Sequence, residues 1–230
     1  MGLDVYVGTF TRYYQRDWHT IVQQSFPGQV RVVRANDAEQ ASPTEVQQAV
    51  AAWASGLASS LSLPSIGSED SALPYFTDKP AWDGYGGLIL WAAYVDQGLD
   101  PARRKEPVTT DNWSEDPALN RYADPTARTM YPQLLLGEEI WLPISSPSVF
   151  KSVDAAGNER MFGNCGKLLN ELDQVNERKW HADIATRDRW GREGLDHGAA
   201  LEVAAKFGWS VMHRLATEAV RHKLPIILDY

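Results

Sequence analysis

The amino-acid sequence predicts an α+β fold: a single domain over residues 1–230 with a mixed or antiparallel sheet. Three patterns predict it: strand-like alternation near both ends of the chain, a middle helix that is apolar on nearly all sides, and a long amphipathic helix just before the last strand. The 230 residues, of which 43% are hydrophobic, suffice for one substantial core. The polar segment 100–129 is a candidate boundary between two lobes.

The N-terminal segment LDVYVGTFTRYY alternates apolar and polar residues, which is typical of a strand with one buried face. In this pattern Leu3, Val5 and Val7 share the buried face, and Tyr6 lies on the other. The segment RDWHTIVQQSF has apolar residues at helical spacing and predicts a short helix. A second strand is predicted over residues 29–34.

The next helix is predicted to begin after Ser42. This serine is a good N-cap, Pro43 suits the first helical position, and Glu45 completes a capping box. The helix is expected to reach Leu57, and a segment rich in Ser, Pro and Gly follows it.

A central helix is predicted in GYGGLILWAAY, which begins at Gly84. Its apolar residues cover nearly the whole circumference, a pattern typical of a helix that is buried in a core. The segment 100–129 is polar and contains four prolines, so only short helical turns are expected there, one of them in DPALNRYA.

The C-terminal half is predicted to contain strands, a hairpin and three helices. EEIWLPI predicts a strand, the residues around Gly157 predict a hairpin, and Asn164 is expected to cap a helix. ADIATRDRWGREG predicts a polar helix, and residues 198–223 predict the longest helix, with one apolar face. The last segment, LPIILDY, is almost wholly apolar and is therefore predicted to be an interior strand.

The formal net charge of −8 comes from one part of the chain. Residues 35–100 contain nine carboxylates and a single cation, Lys79, whereas the charges elsewhere cancel. Because basic patches are missing, we expect no binding to nucleic acid or to an anionic membrane. The acidic segment is expected either to steer a basic protein partner or to form a solvated face that keeps the protein soluble.

Cys165 is the single cysteine, which excludes a disulfide within the chain. It lies where a helix is predicted to begin, so it is either an activated nucleophile or a small buried apolar residue. The first residues lack the pattern of a signal peptide, and no apolar segment is long enough to cross a bilayer. We therefore expect a cytoplasmic protein.

The sequence contains no motif for metal, phosphate or nucleophilic chemistry. Its five histidines lack zinc-binding spacing, and it has no P-loop, dinucleotide-binding fingerprint or nucleophile elbow. We therefore expect no metal and no cofactor, and we favour a non-enzymatic protein that binds another protein.

Two groups of residues are the candidate contacts with such a partner, because aromatic side chains anchor interfaces and carboxylates steer basic partners. They are Asp78, Lys79, Trp82 and Asp83 in TDKPAWD, and Tyr13, Tyr14 and Trp18 near the N-terminus. Burial in the core is the alternative for each aromatic residue. The two aspartates are also expected to act as helix caps or turn residues.

The alternative function is that of a hydrolase, because carboxylates beside aromatic rings are typical of sites that cleave polar or sugar-like substrates. The candidate catalytic residues are Asp78, Asp83, Glu138 and Glu139. This hypothesis expects one of the aspartates to meet one of the glutamates in a deep aromatic pocket. Since adjacent strand residues point to opposite faces, only one of the two glutamates is expected to face a given cleft.

Four segments carry a resemblance to known proteins: MGLDVYVGTFTRYY, PYFTDKPAWDGYGGLILWAAY, YPQLLLGEEIWLP and AAKFGWSVMHRLATEAVRHKLPIILDY. Together they resemble a family of uncharacterised bacterial proteins, and the likeness covers most of the chain. The two ends also resemble a broader group of small cytoplasmic bacterial proteins, some of them suspected of being immunity proteins beside toxins. The resemblance implies an immunity or inhibitor protein whose partner is a toxin, and it assigns no catalytic residue. The acidic segment favours a basic toxin as that partner.

Overall fold

The computed structural model describes residues 2–29, 41–124 and 126–230. Except for Gln29, the strand predicted over residues 29–34 lies outside these ranges, and so do Asp37 and Glu39 of the acidic segment. Within the described ranges, no helix combines the length and the apolar character that crossing a membrane requires.

The strands in these ranges are β1 Asp4–Val7, β2 Phe76–Asp78, β3 Ile140–Leu142, β4 Phe150–Val153, β5 Glu159–Asn164 and β6 Ile226–Asp229. They form one mixed sheet in the order β2-β1-β6-β3-β5-β4. The pairing of β3 with β5 is parallel, and the other pairings in this sheet are antiparallel. Because β6 lies between β1 and β3, the predicted interior position of the last strand is confirmed.

The α-helices of the described ranges are α1 Phe10–Gln15, α2 Ile21–Ser25, α3 Pro43–Ser60, α4 Ala81–Asp96, α5 Pro132–Leu135, α6 Cys165–Lys179, α7 Ile184–Glu193 and α8 Leu201–His222. Three short 3-10 segments span Pro101–Arg103, Trp113–Glu115 and Pro117–Ala123. The α+β class is therefore confirmed, and the long C-terminal helix α8 directly precedes β6 as predicted.

Helices cover both faces of the sheet. Val5 and Val7 of β1 belong to the larger core cluster, which also contains the apolar residues of α4, α6 and α8. Tyr6 points the other way, into a smaller cluster with Phe10 of α1 and Leu57 of α3. Tyr6 is fully buried, so its expected place on a polar face is wrong, because the N-terminal helices cover that side of the sheet.

The central buried helix α4 is confirmed, and it packs against α8 across the larger core. Leu88 and Leu90 point in different directions around α4, yet both are fully buried. The helix begins at Ala81, almost one turn before the predicted start, with Pro80 at its N-cap position.

The first strand is shorter than LDVYVGTFTRYY predicts, because residues 10–15 are helical. Thr9 caps α1 by accepting a hydrogen bond from the N–H of Arg12. The carboxylate of Glu69 accepts two further hydrogen bonds at the same end, from the N–H groups of Phe10 at 3.1 Å and Thr11 at 2.8 Å. A partner 59 residues away thus stabilises a helix that the alternating pattern conceals.

Several other local predictions are confirmed. Ser42 and Glu45 form the predicted capping box of α3, and Asn164 caps α6. The predicted hairpin joins β4 to β5. The 3-10 segments after residue 100 pack on α4, where the side chain of Gln97 donates a hydrogen bond to the carbonyl of Ala118 at 2.7 Å.

Candidate functional site

An open cleft with a volume of about 390 Å³ lies between α4, the 3-10 segments, the α5–β3 connection and the C-terminus. We call it the aromatic cleft. The side chains that give it its chemical character are Trp82, Tyr85, Trp113, Tyr122, Glu138, Glu139 and Tyr230. The described residues that line it include no lysine, arginine or histidine.

The aromatic rings of the cleft meet at well-defined angles. The indole rings of Trp82 and Trp113 are nearly parallel, with 6.3 Å between centroids and 17° between planes. The ring of Tyr85 is close to perpendicular to both, at centroid distances of 6.4 Å and 6.3 Å. Tyr230 meets Trp82 edge-on at 5.1 Å. Two parallel indoles and one perpendicular phenol therefore form the wall of the cleft.

Local sequence explains how α4 and the following loop build this wall. Trp82 and Tyr85 are three residues apart, so they lie on the same side of the first turns of α4. Trp113 comes from a 3-10 segment and lies against the backbone of Gly86, where a β-carbon would overlap the indole ring. Gly86 thus allows close packing at the cleft, whereas Gly84 and Gly87 lie against Phe207 and Ala204 of α8.

Glu138 is a buried carboxyl at this site and is only 2% exposed. Neither of its side-chain oxygens has a hydrogen-bond partner among the described residues. Burial raises the pKa of Glu138 to about 8, because the charged form loses its hydration. The N–H groups of Leu136 and of Glu138 itself lie close enough to oppose this rise only in part. The carboxyl is therefore mostly protonated at neutral pH.

Glu139 has a different environment. Its carboxylate forms an ion pair with Arg160 at 2.5 Å and accepts a hydrogen bond from the hydroxyl of Tyr230. Arg160 also lies 3.5 Å from a carboxylate oxygen of Asp154. The charge of Glu139 is thus compensated, whereas Glu138 has no counter-ion among the residues that the structure describes.

Both glutamates line the aromatic cleft, so the expectation that only one of them faces a given cleft is wrong. The physical reason is that β3 begins at Ile140. The backbone of Glu139 still bonds Met161 of β5 and Leu228 of β6, but Glu138 lies before these bonds, so its side chain does not have to alternate with that of Glu139.

A second buried carboxyl, Glu171 of α6, lies near Glu138. Its oxygens accept the N–H of Gln133 at 3.0 Å and 2.9 Å. Burial, together with the smaller effect of the negative charge of Glu138, raises the pKa of Glu171 to about 9. The two carboxyls therefore oppose each other's ionisation.

Asp78 and Lys79 do not line the aromatic cleft. Asp78 forms an ion pair with Arg214 of α8 and accepts the N–H of Lys79 at 2.7 Å. It lines a separate cavity of about 330 Å³ together with Arg187 and Arg192 of α7. The side chain of Lys79 is half-buried.

Asp83 is buried in the first turn of α4 and is 8% exposed. It accepts a hydrogen bond from the hydroxyl of Thr110 at 2.8 Å and lies 3.2 Å from Nδ1 of His197. No side chain caps α4, so the expected capping role of Asp83 at this helix is wrong. Asp78 and Asp83 are not among the described residues that line the aromatic cleft, so neither aspartate meets Glu138 or Glu139 there.

The second predicted contact group lies on the other side of the sheet. Trp18 is 5% exposed, and the hydroxyl of Tyr13 donates a hydrogen bond to Asp229 at 2.8 Å. Tyr14 is half-buried, and burial together with the nearby Asp154 raises its pKa. All three rings pack against the smaller core cluster, so much of their surface is used within the protein.

Cys165 begins α6 and is fully buried. Burial raises the pKa of its thiol, and its Sγ lies 3.1 Å from the carbonyl oxygen of Trp141. The geometry is that of a small buried residue and not of an activated nucleophile. In the part of the chain that the structure describes, no three His, Cys, Asp or Glu side chains converge as metal ligands.

The candidate residues from sequence overlap only partly with this site. Trp82, Glu138 and Glu139 meet in the cleft, whereas Trp113, Tyr230 and the nearby Glu171 were not expected there. A signal for Trp113 exists, since a tryptophan is unusual in a polar, proline-rich segment.

Comparison with known proteins adds no relative: no family model matches the chain, and neither does any curated protein or solved structure at a significant level. The resemblance to a bacterial family and to immunity proteins stays a prediction from the sequence.

Proposed function

We propose that this protein is a non-enzymatic module that binds another protein, and that the aromatic cleft receives a side chain of that partner. The observation that carries this proposal is the open cleft walled by Trp82 and Trp113, both half-buried and not sealed in the core. Exposed aromatic rings around a pocket are typical anchors of protein interfaces. Of the sequence-predicted contacts, Trp82 is the one that lines this cleft.

The charge of the protein favours a basic partner. A net charge of −8 would speed the encounter with a cationic protein. An immunity or inhibitor protein acting on a basic toxin fits this charge and the resemblance described above. A cytoplasmic location fits the lone reduced thiol of Cys165.

The experiment is partner capture from the native host with matched variants. Trp82→Ala removes one wall of the cleft, and Ile184→Ala truncates a side chain on α7 that is 70% exposed and does not line the cleft. We expect a partner captured by the unmodified protein to be lost with Trp82→Ala and retained with Ile184→Ala. Circular dichroism establishes that both variants are folded.

Two outcomes would contradict this proposal. Capture that is the same for both variants would move the interface away from the cleft. If the unmodified protein captures no partner, even after cross-linking, the proposed binding function itself is contradicted.

A hydrolase is the second candidate function, and one observation favours it. Glu138 is buried with a raised pKa and Glu139 is paired with Arg160, so two carboxyls in different environments line one aromatic cleft. Such a pair suits general-acid and electrostatic roles on a sugar-like substrate. Release of product from a panel of chromogenic glycosides, lost in both Glu138→Gln and Glu139→Gln, would establish this function. If no glycoside is cleaved, the hydrolase hypothesis is contradicted and the binding proposal is retained.

A further inference from the structure

We propose that the aromatic cleft recognises an alkylammonium group, presented as a lysine side chain by the protein partner. This inference rests on the proposed binding function and names the chemistry of the group that enters the cleft. Three features carry it: the arrangement of the rings, the uncompensated carboxyl of Glu138, and the lack of cations among the described lining residues.

The rings provide the first feature. The faces of aromatic rings are electron-rich and attract cations, and several rings set at steep angles attract one cation from different sides. Trp82 and Trp113 are nearly parallel, and Tyr85 is close to perpendicular to both, with all three centroids 6.3–6.4 Å apart. Aromatic cages that bind ammonium groups likewise bring several rings together at one site.

Charge provides the second feature. Glu139 is already paired with Arg160, so an incoming cation gains little from it. Glu138 is buried and lacks a hydrogen-bond partner among the described residues. A cation in the cleft would supply the missing counter-charge in surroundings where water screens the attraction poorly.

The lining disfavours other ligand classes. An anion would face two carboxyls without any lysine or arginine in the lining that the structure describes. A sugar needs many hydrogen-bond partners, and the uncharged polar side chains that line the cleft, apart from the tyrosines, are those of Ser114 and Asn120. A lysine needs apolar contact for its stem and negative charge for its head, and the cleft offers both.

Binding of a cation should be linked to pH through Glu138. The ionisable groups that act on this region are Glu171 from α6, Tyr85 from α4, Tyr230 after β6, and the pair of Glu139 with Arg160. A cation favours the ionised form of Glu138, whose pKa is about 8. Affinity should therefore rise between pH 6 and pH 9, with release of a proton.

The test is an NMR titration of the tryptophan indole signals with choline and with its neutral isostere 3,3-dimethylbutan-1-ol. We expect choline to bind at pH 9 about tenfold more tightly than at pH 6, and the isostere to bind weakly at both. In Glu138→Gln, choline should lose this pH dependence and bind at pH 9 about tenfold more weakly than to the unmodified protein. Glu193→Gln, an exposed change of the same kind on α7, should leave choline binding unchanged.

A second arm identifies the source of the ammonium group. A short lysine-containing peptide should displace choline, whereas the same peptide with norleucine in place of lysine should not. Equal binding of choline and its isostere, or an unchanged pH dependence in Glu138→Gln, would overturn the inference. If capture of a partner depends on Trp82 but neither choline nor the lysine peptide binds, the ammonium inference is overturned and the proposed function is retained. Choline binding without any captured partner would overturn the proposed function, and with it the lysine of a partner as the source of the ammonium group.

Discussion

The indole ring of Trp113 lies directly on the backbone of Gly86 in α4, so that a β-carbon at position 86 would overlap the ring. This contact joins the polar segment after residue 100 to the central helix and sets one wall of the aromatic cleft. The position of this wall therefore depends on Gly86, because its lack of a β-carbon leaves room for the indole ring.

Gly86→Ala should destabilise the protein by about 1–3 kcal/mol, because the indole must move out of a packed position. Alanine favours a helix by about 1 kcal/mol over glycine, which offsets only part of that loss. Thermal unfolding followed by circular dichroism measures the change, and tryptophan fluorescence should report greater exposure of an indole to water.

Gly56→Ala is the matched control, since Gly56 also lies inside a helix but has open space where the β-carbon would be. At this position alanine adds its higher helix propensity without a steric clash, so we expect unchanged or slightly higher stability. Equal effects of the two substitutions would mean that Trp113 does not pack on α4 as described.

The stability of the protein should fall as the pH rises from 5 to 9. Burial raises the pKa of Glu138 to about 8 and that of Glu171 to about 9, both well above the value of an unfolded glutamate. The folded state therefore holds more protons than the unfolded state in this range, and its advantage is lost as the pH passes through the folded-state values.

The substitution Glu138→Gln measures how much this one carboxyl contributes to the pH dependence of the free energy of unfolding. At about pH 4 the variant and the unmodified protein should be similar, because the glutamate is then largely neutral in both the folded and the unfolded state. At pH 9 the variant should be more stable by about 4–5 kcal/mol, because folding raises the pKa of Glu138 from about 4 to about 8. Urea unfolding at several pH values measures this, with Glu193→Gln as the exposed control. A variant that is less stable at every pH would show that the ionised form of Glu138 is stabilised by contacts within the protein.

Local patterns predicted most of the fold, because most of its helices and strands are determined by neighbouring residues or by the regular spacing of apolar residues. The Ser42 and Glu45 capping box, the apolar circumference of α4 and the apolar last strand each lie within a few residues of sequence. The helix over residues 10–15 was missed because one of its stabilising partners, Glu69, is remote in sequence. An alternating pattern cannot report such a partner.

The candidate site was predicted less well for the same reason. Trp82, Glu138 and Glu139 were singled out as residue types, but their meeting depends on how α4, β3 and β6 pack. Asp83 resembled a functional carboxylate in the sequence. In the structure it accepts a hydrogen bond from the hydroxyl of Thr110 and lies beside the ring of His197, which is 114 residues away in sequence. The protonation state of Glu138 depends on burial, which residue type alone does not specify.

Gly208→Ala should be more damaging than Gly86→Ala. A β-carbon on Gly208 of α8 would overlap the carbonyl oxygen of Gly84 in α4, which is backbone and cannot turn away. The two helices would have to separate, and we expect a loss of about 3 kcal/mol or more. Equilibrium urea unfolding measures the loss. A loss smaller than that of Gly86→Ala would show that the crossing of α4 and α8 is looser than described.

Cys165 should not react with thiol reagents while the protein is folded. Its side chain is fully buried, and burial raises its pKa, so the reactive thiolate is both scarce and covered. We expect Ellman's reagent to modify the thiol only in denaturant, or at a rate limited by unfolding. A variant that combines Cys165→Ser with Ser59→Cys places the thiol on the exposed side of α3 and should react at once. Modification of folded Cys165 at a rate similar to that of the exposed thiol would mean that α6 begins at an accessible site, and would make the nucleophile hypothesis tenable again.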